Sequence, residues 1–125
     1  MHVLIIGSGK WSAVHLDALR TTPSVNEITL AGRNRQAVES MAADYPGTRT
    51  FIGGWQDALN HSDVDLVDIV LPHHLHCPVA ATAIAAGKHV ICEKPGSLTL
   101  HEWDNLQAAA TRANCRFLVI QNQLY

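Results

Sequence analysis

The chain has 125 residues, of which 47% are hydrophobic and 16% charged, and its formal net charge is -2 at pH 7. This length fits one ordinary domain with its own core, and the composition excludes a disordered chain and a coiled coil. The charge argues against nucleic acid as a partner. No apolar run reaches the roughly 20 residues of a membrane span, and the apolar start is too short for a signal peptide. We therefore expect a cytoplasmic protein with no membrane partner.

Apolar periodicity predicts strands and helices that alternate along the whole chain. Short runs of branched residues predict strands at residues 3–6, 27–31, 48–52, 66–71, 89–92 and 116–120. Residues spaced for one helical face predict helices at 12–19, 35–45, 55–60, 78–86 and 100–113. Because parallel strands need crossover connections, this alternation predicts a doubly wound α/β fold, with a mostly parallel six-stranded sheet and helices on both faces. No linker or repeat divides residues 1–125, so we expect one domain.

The three cysteines are odd in number and far apart, and they lack any C-x-x-C spacing. This pattern argues against a disulfide framework and against a zinc knuckle. We predict that Cys77, Cys92 and Cys115 are reduced thiols.

A glycine-rich turn follows the first predicted strand. Residues 7–12 read Gly-Ser-Gly-Lys-Trp-Ser, which is the dinucleotide fingerprint G-x-G-x-x-G with serine at its last position. Gly7 allows a tight turn, and Gly9 lets a pyrophosphate approach the helix start, whose N–H groups and dipole attract it. The Ser12 hydroxyl either widens the helix–strand contact or faces a phosphate. The predicted cofactor residues here are Gly7, Ser8, Gly9, Lys10, Trp11 and Ser12. The alternative is a plain glycine turn in a structural protein.

Arginines follow the second predicted strand, where an NAD-binding domain usually has an acid that holds the ribose. The residues there are Gly32, Arg33, Asn34 and Arg35. Guanidinium groups pair well with phosphate oxygens, so this segment predicts a site for the 2′-phosphate of NADP. NAD stays the alternative cofactor. In the simpler interpretation, Arg33 and Arg35 are solvated residues at a helix start.

Two further segments follow the fourth and fifth predicted strands, at the sheet edge where open α/β sheets bind ligands. Residues 71–76 read Leu-Pro-His-His-Leu-His, and residues 93–95 read Glu-Lys-Pro. The cofactor-site candidates among them are Leu71, Pro72, His73, His76, Glu93, Lys94 and Pro95. The side chains of His73, His74, His76 and Cys77 are of types that bind zinc. Adjacent histidines on a loop do not converge readily, however, and no second cluster supports them, so we predict no metal site.

Together these motifs make the chain resemble the glucose-fructose oxidoreductase and inositol dehydrogenase family, also written Gfo/Idh/MocA. The resemblance spans all 125 residues and implies an N-terminal NAD(P)-binding Rossmann domain, about the first third of a typical member. Its most specific piece is Glu93-Lys94-Pro95. The other matching pieces are Gly7-Ser8-Gly9, His15 with Ala18 and Leu19, Ala31-Gly32-Arg33, and Pro72 with His76.

The resemblance implies an oxidoreductase that transfers hydride between nicotinamide and a sugar, polyol or related hydroxyl or carbonyl compound, and the arginine segment predicts NADP as its cofactor. In the family, the lysine of the Glu-Lys-Pro motif lies beside the nicotinamide and the reacting carbon, which implies that Lys94 is catalytic. Hydride transfer at a carbinol carbon leaves a proton on oxygen, and burial can lower the pKa of a lysine toward neutrality. The alternative for Lys94 is a surface lysine before a turn-forming proline.

Two departures from the family pattern matter. His73 stands where members often have asparagine. The family's second domain, which supplies most of the substrate pocket, a further catalytic histidine and usually the oligomer interface, has no counterpart in these residues. We therefore expect no turnover by this chain alone, and substrate contact only through the missing second domain. The sequence leaves open whether the protein forms a homo-oligomer.

Two rival hypotheses are a non-catalytic nucleotide-binding or redox-sensing module, and a structural subunit that binds no nucleotide. The last predicted strand is apolar at positions 117–120, so both its faces need a cover. We therefore expect the chain to be a fragment of a longer polypeptide that supplies this cover.

Overall fold

The computed structural model describes residues 1–61 and 63–121, in which six strands form one sheet. The strands are β1 (His2–Ile6), β2 (Glu27–Gly32), β3 (Arg49–Ile52), β4 (Leu66–Ile69), β5 (His89–Glu93) and β6 (Phe117–Ile120). The helices are α1 (Lys10–Arg20), α2 (Arg35–Ala43), α3 (Trp55–His61), α4 (His73–Ala85) and α5 (Leu100–Ala113).

The strands lie in the order β3-β2-β1-β4-β5-β6, and all neighbours are parallel. The chain starts at the centre of the sheet, moves to one edge, and then returns past β1 to build the other half. This reversal places a crevice at the carboxyl ends of β1 and β4. The doubly wound α/β prediction is confirmed, and the sheet is wholly parallel within the described residues.

Alternate residues of the central strands point to opposite faces of the sheet and pack in two hydrophobic layers. Val3, Ile5 and Leu30 pack with Leu16 of α1 and Val38 of α2 on one face. On the other face, buried residues of the same strands pack with α3, α4 and α5. The residues of this second layer include Leu4, Ile6, Ala58, Val67, Ile69, Val79, Ala83 and Leu106. Burial on both faces explains why these strands are almost continuously apolar.

Helix α4 begins at His73, five residues before the predicted start at residue 78. Pro78 therefore lies inside this helix. Pro78 is the sixth residue of the helix, beyond its first turn, so it removes the backbone hydrogen bond that an N–H here would donate to the carbonyl of His74. The His76 ring fixes this turn, since its nitrogens lie 2.8 Å from the Leu71 carbonyl oxygen and 2.6 Å from the Pro95 carbonyl oxygen. The prediction that the histidines lie on a loop is wrong.

The β6 edge of the sheet is covered on one face only. Phe117 of β6 is buried, and its ring lies 5.6 Å from that of Trp103 in α5. Leu118 points to the opposite face and is 57% exposed. This face of β6 is open because α1 and α2 pack over the half that holds β1, β2 and β3, and its cover by a further segment stays a prediction.

Candidate functional site

The turn between β1 and α1 has a backbone that only glycine adopts without strain. Gly7 has a φ of 123°, and a Cβ at this position would overlap the carbonyl oxygen of Val70. The Gly7 N–H donates to the Ala31 carbonyl at 2.9 Å, which fixes the turn against β2. The end of β1 therefore lies close against the turn that follows β4.

Gly9 caps the N-terminus of α1 and faces open space. It has ordinary extended backbone angles, and no heavy atom lies within 4 Å of where its Cβ would stand. Within residues 1–61 and 63–121, no side chain caps this helix start, and its first turn holds no acidic residue. The helix start therefore presents its N–H groups and positive dipole end to an open cradle, which fits a diphosphate.

Three predicted segments meet around this cradle in a pocket of about 650 Å³. They are the glycine turn, the turn between β4 and α4, and the end of β5. The lining residues are Gly7, Ser8, Gly9, Lys10, Trp11, Val70, Leu71, Pro72, His73, Glu93 and Lys94. Sequence reasoning missed Val70, which follows the last residue of β4. The exposed ammonium groups of Lys10 and Lys94 give the pocket two cations.

Ser12, His76 and Pro95 lie behind the pocket wall. The Ser12 side chain is fully buried, and its hydroxyl donates to the Gly7 carbonyl at 2.7 Å. This hydroxyl therefore does not face a phosphate, contrary to one sequence-based interpretation. His76 is also fully buried, and one of its ring nitrogens meets the carbonyl of Pro95. These three residues support the turns that line the pocket.

The arginine segment lies outside the pocket, next to Ser8. A Cβ at Gly32 would stand 3.1 Å from the Ser8 hydroxyl, so the two segments touch. Arg33 is exposed, and its guanidinium lies over Gly54. In the described part of the chain, no carboxylate pairs with Arg33.

The two residues that follow Arg33 already have hydrogen-bond or ion-pair partners. The Asn34 side chain caps α2 by accepting a hydrogen bond from the Ala37 N–H at 3.1 Å. Arg35 pairs with Glu39 at 3.0 Å, and both side chains are exposed. The structure therefore leaves Arg33 as the side chain of this segment best able to meet a phosphate.

A buried ion cluster that sequence reasoning missed joins α1, β4 and β5. His15 Nδ1 lies 2.7 Å from Asp68 Oδ2, and His15 Nε2 lies 2.7 Å from Glu93 Oε1. Burial lowers the pKa of His15, but the hydrogen bonds and charges of Asp68 and Glu93 outweigh it and raise the pKa to about 9. The ring is therefore an imidazolium at neutral pH. Asp68 itself has a raised pKa because it is buried, although the charge of His15 counteracts this.

A signal for this cluster was present in the sequence. Asp68 interrupts the apolar run Leu66 to Val70, and a carboxylate in a buried strand requires a charged or hydrogen-bonding partner. Its Oδ1 atom is buried and has no hydrogen-bond partner among residues 1–61 and 63–121. The sequence could not identify the partner, since His15 lies 53 residues away.

No group of three or more His, Cys, Asp and Glu residues in the described part of the chain is arranged to hold a metal ion. His73 and His76 meet edge to face, with ring centroids 5.6 Å apart. Burial raises the pKa of the Cys92 thiol to about 12 and also raises that of Cys77. Across these same stretches, no helix combines the length and hydropathy needed to cross a bilayer.

Comparison with known proteins gives one family and many related structures. The model of an oxidoreductase family with an NAD-binding Rossmann fold, Gfo/Idh/MocA, matches residues 1–121. Levoglucosan dehydrogenase from Pseudarthrobacter phenanthrenivorans is 30% identical to the chain, in a match that covers 98% of this chain and 33% of that protein. The chain spans about a third of the length of the curated relatives it matches.

Two solved structures illustrate the same fold. An NAD-binding oxidoreductase from Klebsiella pneumoniae has a TM-score of 0.84 and 35% identity, over 96% of this chain and 34% of that one. Biliverdin reductase from Synechocystis, solved with biliverdin and NADP+, has a TM-score of 0.85 and 28% identity, over 94% of this chain and 37% of that one. Related chains therefore bind either dinucleotide.

Proposed function

Because the chain belongs to the Gfo/Idh/MocA oxidoreductase family, we propose that it is the nucleotide-binding domain of an NADP-dependent oxidoreductase. The reaction is hydride transfer between nicotinamide and a sugar, polyol or related hydroxyl or carbonyl compound. The observation that carries the proposal is the pocket in which the open helix start at Gly9 and the side chain of Lys94 line the same cavity. When bound, the nicotinamide supplies or accepts the hydride.

The glycine turn holds the pyrophosphate in this proposal. Gly9 leaves the N-terminus of α1 open, and Lys10 adds a cation at the same place. Backbone N–H groups and a helix dipole favour a diphosphate without a dedicated side chain. Ser8 connects this part of the pocket to Gly32 and therefore to the arginine segment.

Arg33 is the proposed contact for the 2′-phosphate. It is exposed beside the Ser8 end of the pocket, whereas Asn34 caps a helix and Arg35 pairs with Glu39. A guanidinium donates two parallel hydrogen bonds to phosphate oxygens, and an acid that would bind a ribose hydroxyl and repel the phosphate is absent from residues 31–35. The site therefore favours NADP over NAD.

Lys94 is the proposed catalytic residue, and it handles the proton of the reacting oxygen. Its side chain lines the pocket directly after β5, opposite the glycine turn. An ammonium Nζ donates to the oxygen of a carbonyl substrate and, once deprotonated, accepts the proton of a hydroxyl substrate. Lys94 is exposed in this chain. The partial burial that the sequence-based hypothesis assigned to it must therefore come from a segment that closes the pocket.

A second domain is the proposed source of that segment and of the substrate contacts. The curated relatives are about three times longer than this chain. The open apolar face of β5 and β6, with Ile91, Leu118 and Ile120, offers a surface on which such a domain could pack.

A sensor that works through a reactive thiol is one form of the non-catalytic alternative. Cys92 is buried, and burial raises its pKa to about 12, which keeps it protonated and unreactive. Cys77 also has a raised pKa. These two thiols therefore give no support to a thiol-based sensor, and the presence of Lys94 in the pocket favours the enzyme over a non-catalytic module that uses the same pocket.

Calorimetric titration of the chain with NADPH and NADH tests the cofactor preference. A charge-assisted hydrogen bond is worth about 1.5 to 3 kcal/mol, so we expect NADPH to bind more than about tenfold tighter. The variant Arg33→Asp should move the preference toward NADH. Arg112→Asp, which makes the same charge change on the exposed last turn of α5, should leave the ratio unchanged. Equal affinities in the wild-type chain, or a ratio that Arg33→Asp does not alter, would contradict the proposed NADP preference.

A further inference from the structure

The buried ion cluster of His15, Asp68 and Glu93, hereafter the His15 cluster, connects the two walls of the dinucleotide pocket. His15 lies one helical turn after Trp11, which lines the pocket on α1. Its partner Glu93 lines the opposite wall and is followed by Lys94. The ion pair between His15 and Glu93 thus ties the helix that carries the phosphate cradle to the strand that carries the proposed catalytic lysine.

The protonation state of His15 decides whether this tie exists. Both ring nitrogens face carboxylate oxygens at 2.7 Å, and only the imidazolium can donate to both. A neutral ring would turn a lone pair toward one carboxylate. Asp68 is fixed in β4 and almost fully buried, whereas Glu93 is partly exposed at the pocket edge. Loss of the proton would therefore release Glu93 in preference to Asp68.

We propose that His15 is a positioning residue, which holds the Glu93 side chain away from the dinucleotide and keeps Lys94 in place on the opposite wall. This inference rests on the proposed function, because it requires the pocket to bind a dinucleotide. With the bridge formed, the imidazolium neutralises the carboxylate nearest the pocket. Without the bridge, Glu93 places an uncompensated negative charge beside a site for a diphosphate.

The pH response of this bridge depends on the few charged groups that surround the His15 ring. The charged groups that face the ring are Asp68 from β4 and Glu93 from β5, and α1 adds no further charge to this groove. The other residues that line the groove are apolar, namely Trp11, Val14, Ala18, Leu19, Ile91 and Ile120. Among the residues that the structure describes, His15 is therefore the one cation of this groove.

The experiment is the pH dependence of NADPH affinity for this chain and two variants, from pH 6.5 to 10. In the wild type, the affinity should fall as the pH rises through about 9, where His15 loses its proton. Asp68→Asn keeps the shape and the hydrogen bond but removes one charge, so the midpoint should move to about pH 8 or below. His15→Gln should bind NADPH at least about fivefold more weakly at pH 7 and lose this transition.

The midpoint separates positioning from a purely structural role. A structural role would lower the free energy of unfolding of Asp68→Asn and leave the midpoint of binding unchanged, which would overturn the inference. Lys10 and Lys94 are identical in the wild type and in Asp68→Asn, so they cannot cause a difference between them. If His15→Gln does not fold, the Asp68→Asn midpoint decides alone. Absence of NADPH binding by the wild type at every pH would instead refute the proposed function, and this inference with it.

Discussion

Gly7 and Gly9 lie two residues apart in one turn but meet different surroundings. A methyl group on Gly7 would overlap the Val70 carbonyl, and its φ of 123° disfavours any L side chain. A methyl group on Gly9 would meet no atom within 4 Å. The fold therefore requires glycine at position 7. At position 9 the fold would accept a side chain, and we expect the bound diphosphate to require glycine there.

Replacement by alanine should lower the stability of the fold at Gly7 and the affinity for NADPH at Gly9. Gly7→Ala combines an overlap with a strained φ, so we expect it to lower the free energy of unfolding by about 3 kcal/mol or more. Gly9→Ala should change that free energy by less than about 0.5 kcal/mol. Its methyl group stands in the phosphate cradle, so NADPH affinity should fall at least about tenfold. Urea unfolding and calorimetry measure both quantities. Full NADPH affinity in folded Gly9→Ala would show that the phosphate does not lie there.

The sequence predicted the glycine positions because the fingerprint encodes backbone geometry. It did not predict the side-chain contacts of Ser12, His15 or Asp68. Ser12 bonds to a carbonyl in its own turn, and His15 meets a strand 53 residues away. Such contacts depend on how the elements pack, which residue spacing alone does not reveal.

At the start of α2, a residue that was predicted to bind the cofactor caps the helix instead. Asn34 was predicted to bind the cofactor, and its side chain accepts a hydrogen bond from the Ala37 N–H as the helix cap. A capping side chain satisfies one of the N–H groups that a helix start leaves without a partner. Its contribution is therefore expected to be structural.

Replacement of this cap tests that role. Asn34→Ala should lower the free energy of unfolding by about 1 kcal/mol, while Asn34→Ser, which keeps a capping oxygen, should lose less. We expect both variants to bind NADPH within about twofold of the wild type, since Arg33 is retained. A tenfold loss of affinity in both variants, measured by calorimetry, would show that Asn34 contacts the cofactor directly.

The start of α4 was harder to predict than that of α2. Pro78 reads as a helix start, since proline favours the first helical position. The true start at His73 depends on the buried His76 ring, which meets carbonyls of two different loops. One of these carbonyls belongs to Pro95, which is 19 residues away.

At the scale of the molecule, the alternation of strands and helices was sufficient to predict the sheet and its winding. The central strands β1, β2 and β4 are buried on both faces and almost continuously apolar, and right-handed crossovers leave few arrangements. The segment that covers the open face of β6 was not predictable in the same way. Apolar residues such as Leu118 indicate that a surface needs a cover but do not identify the segment that provides it.

Stability of the whole chain should depend on pH through His15. Its pKa is raised from 6.5 in the unfolded chain to about 9, so its contribution is fully present below pH 6.5 and disappears as the pH rises through about 9. The shift corresponds to at most about 3 to 4 kcal/mol of unfolding free energy. Urea unfolding between pH 6 and 9 should show this decline in the wild type.

The control for this prediction is His15→Gln, which should show a flatter profile over the same range. Above pH 9, Cys92 adds a decline of the same sign, because burial raises its pKa to about 12, and this decline should persist in the variant. Stability that is constant from pH 6 to 9 in the wild type would show that the bridge contributes nothing to the fold.

Titration of the 15N-labelled chain with NADPH tests the dinucleotide site most directly. Saturable amide shifts should cluster at Gly7 to Trp11, at Leu71 to His73, and at Glu93 and Lys94, with Arg33 also shifted by NADPH and less so by NADH. Shifts that never saturate, or that gather away from these three turns, would contradict a dinucleotide site at the carboxyl ends of β1 and β4.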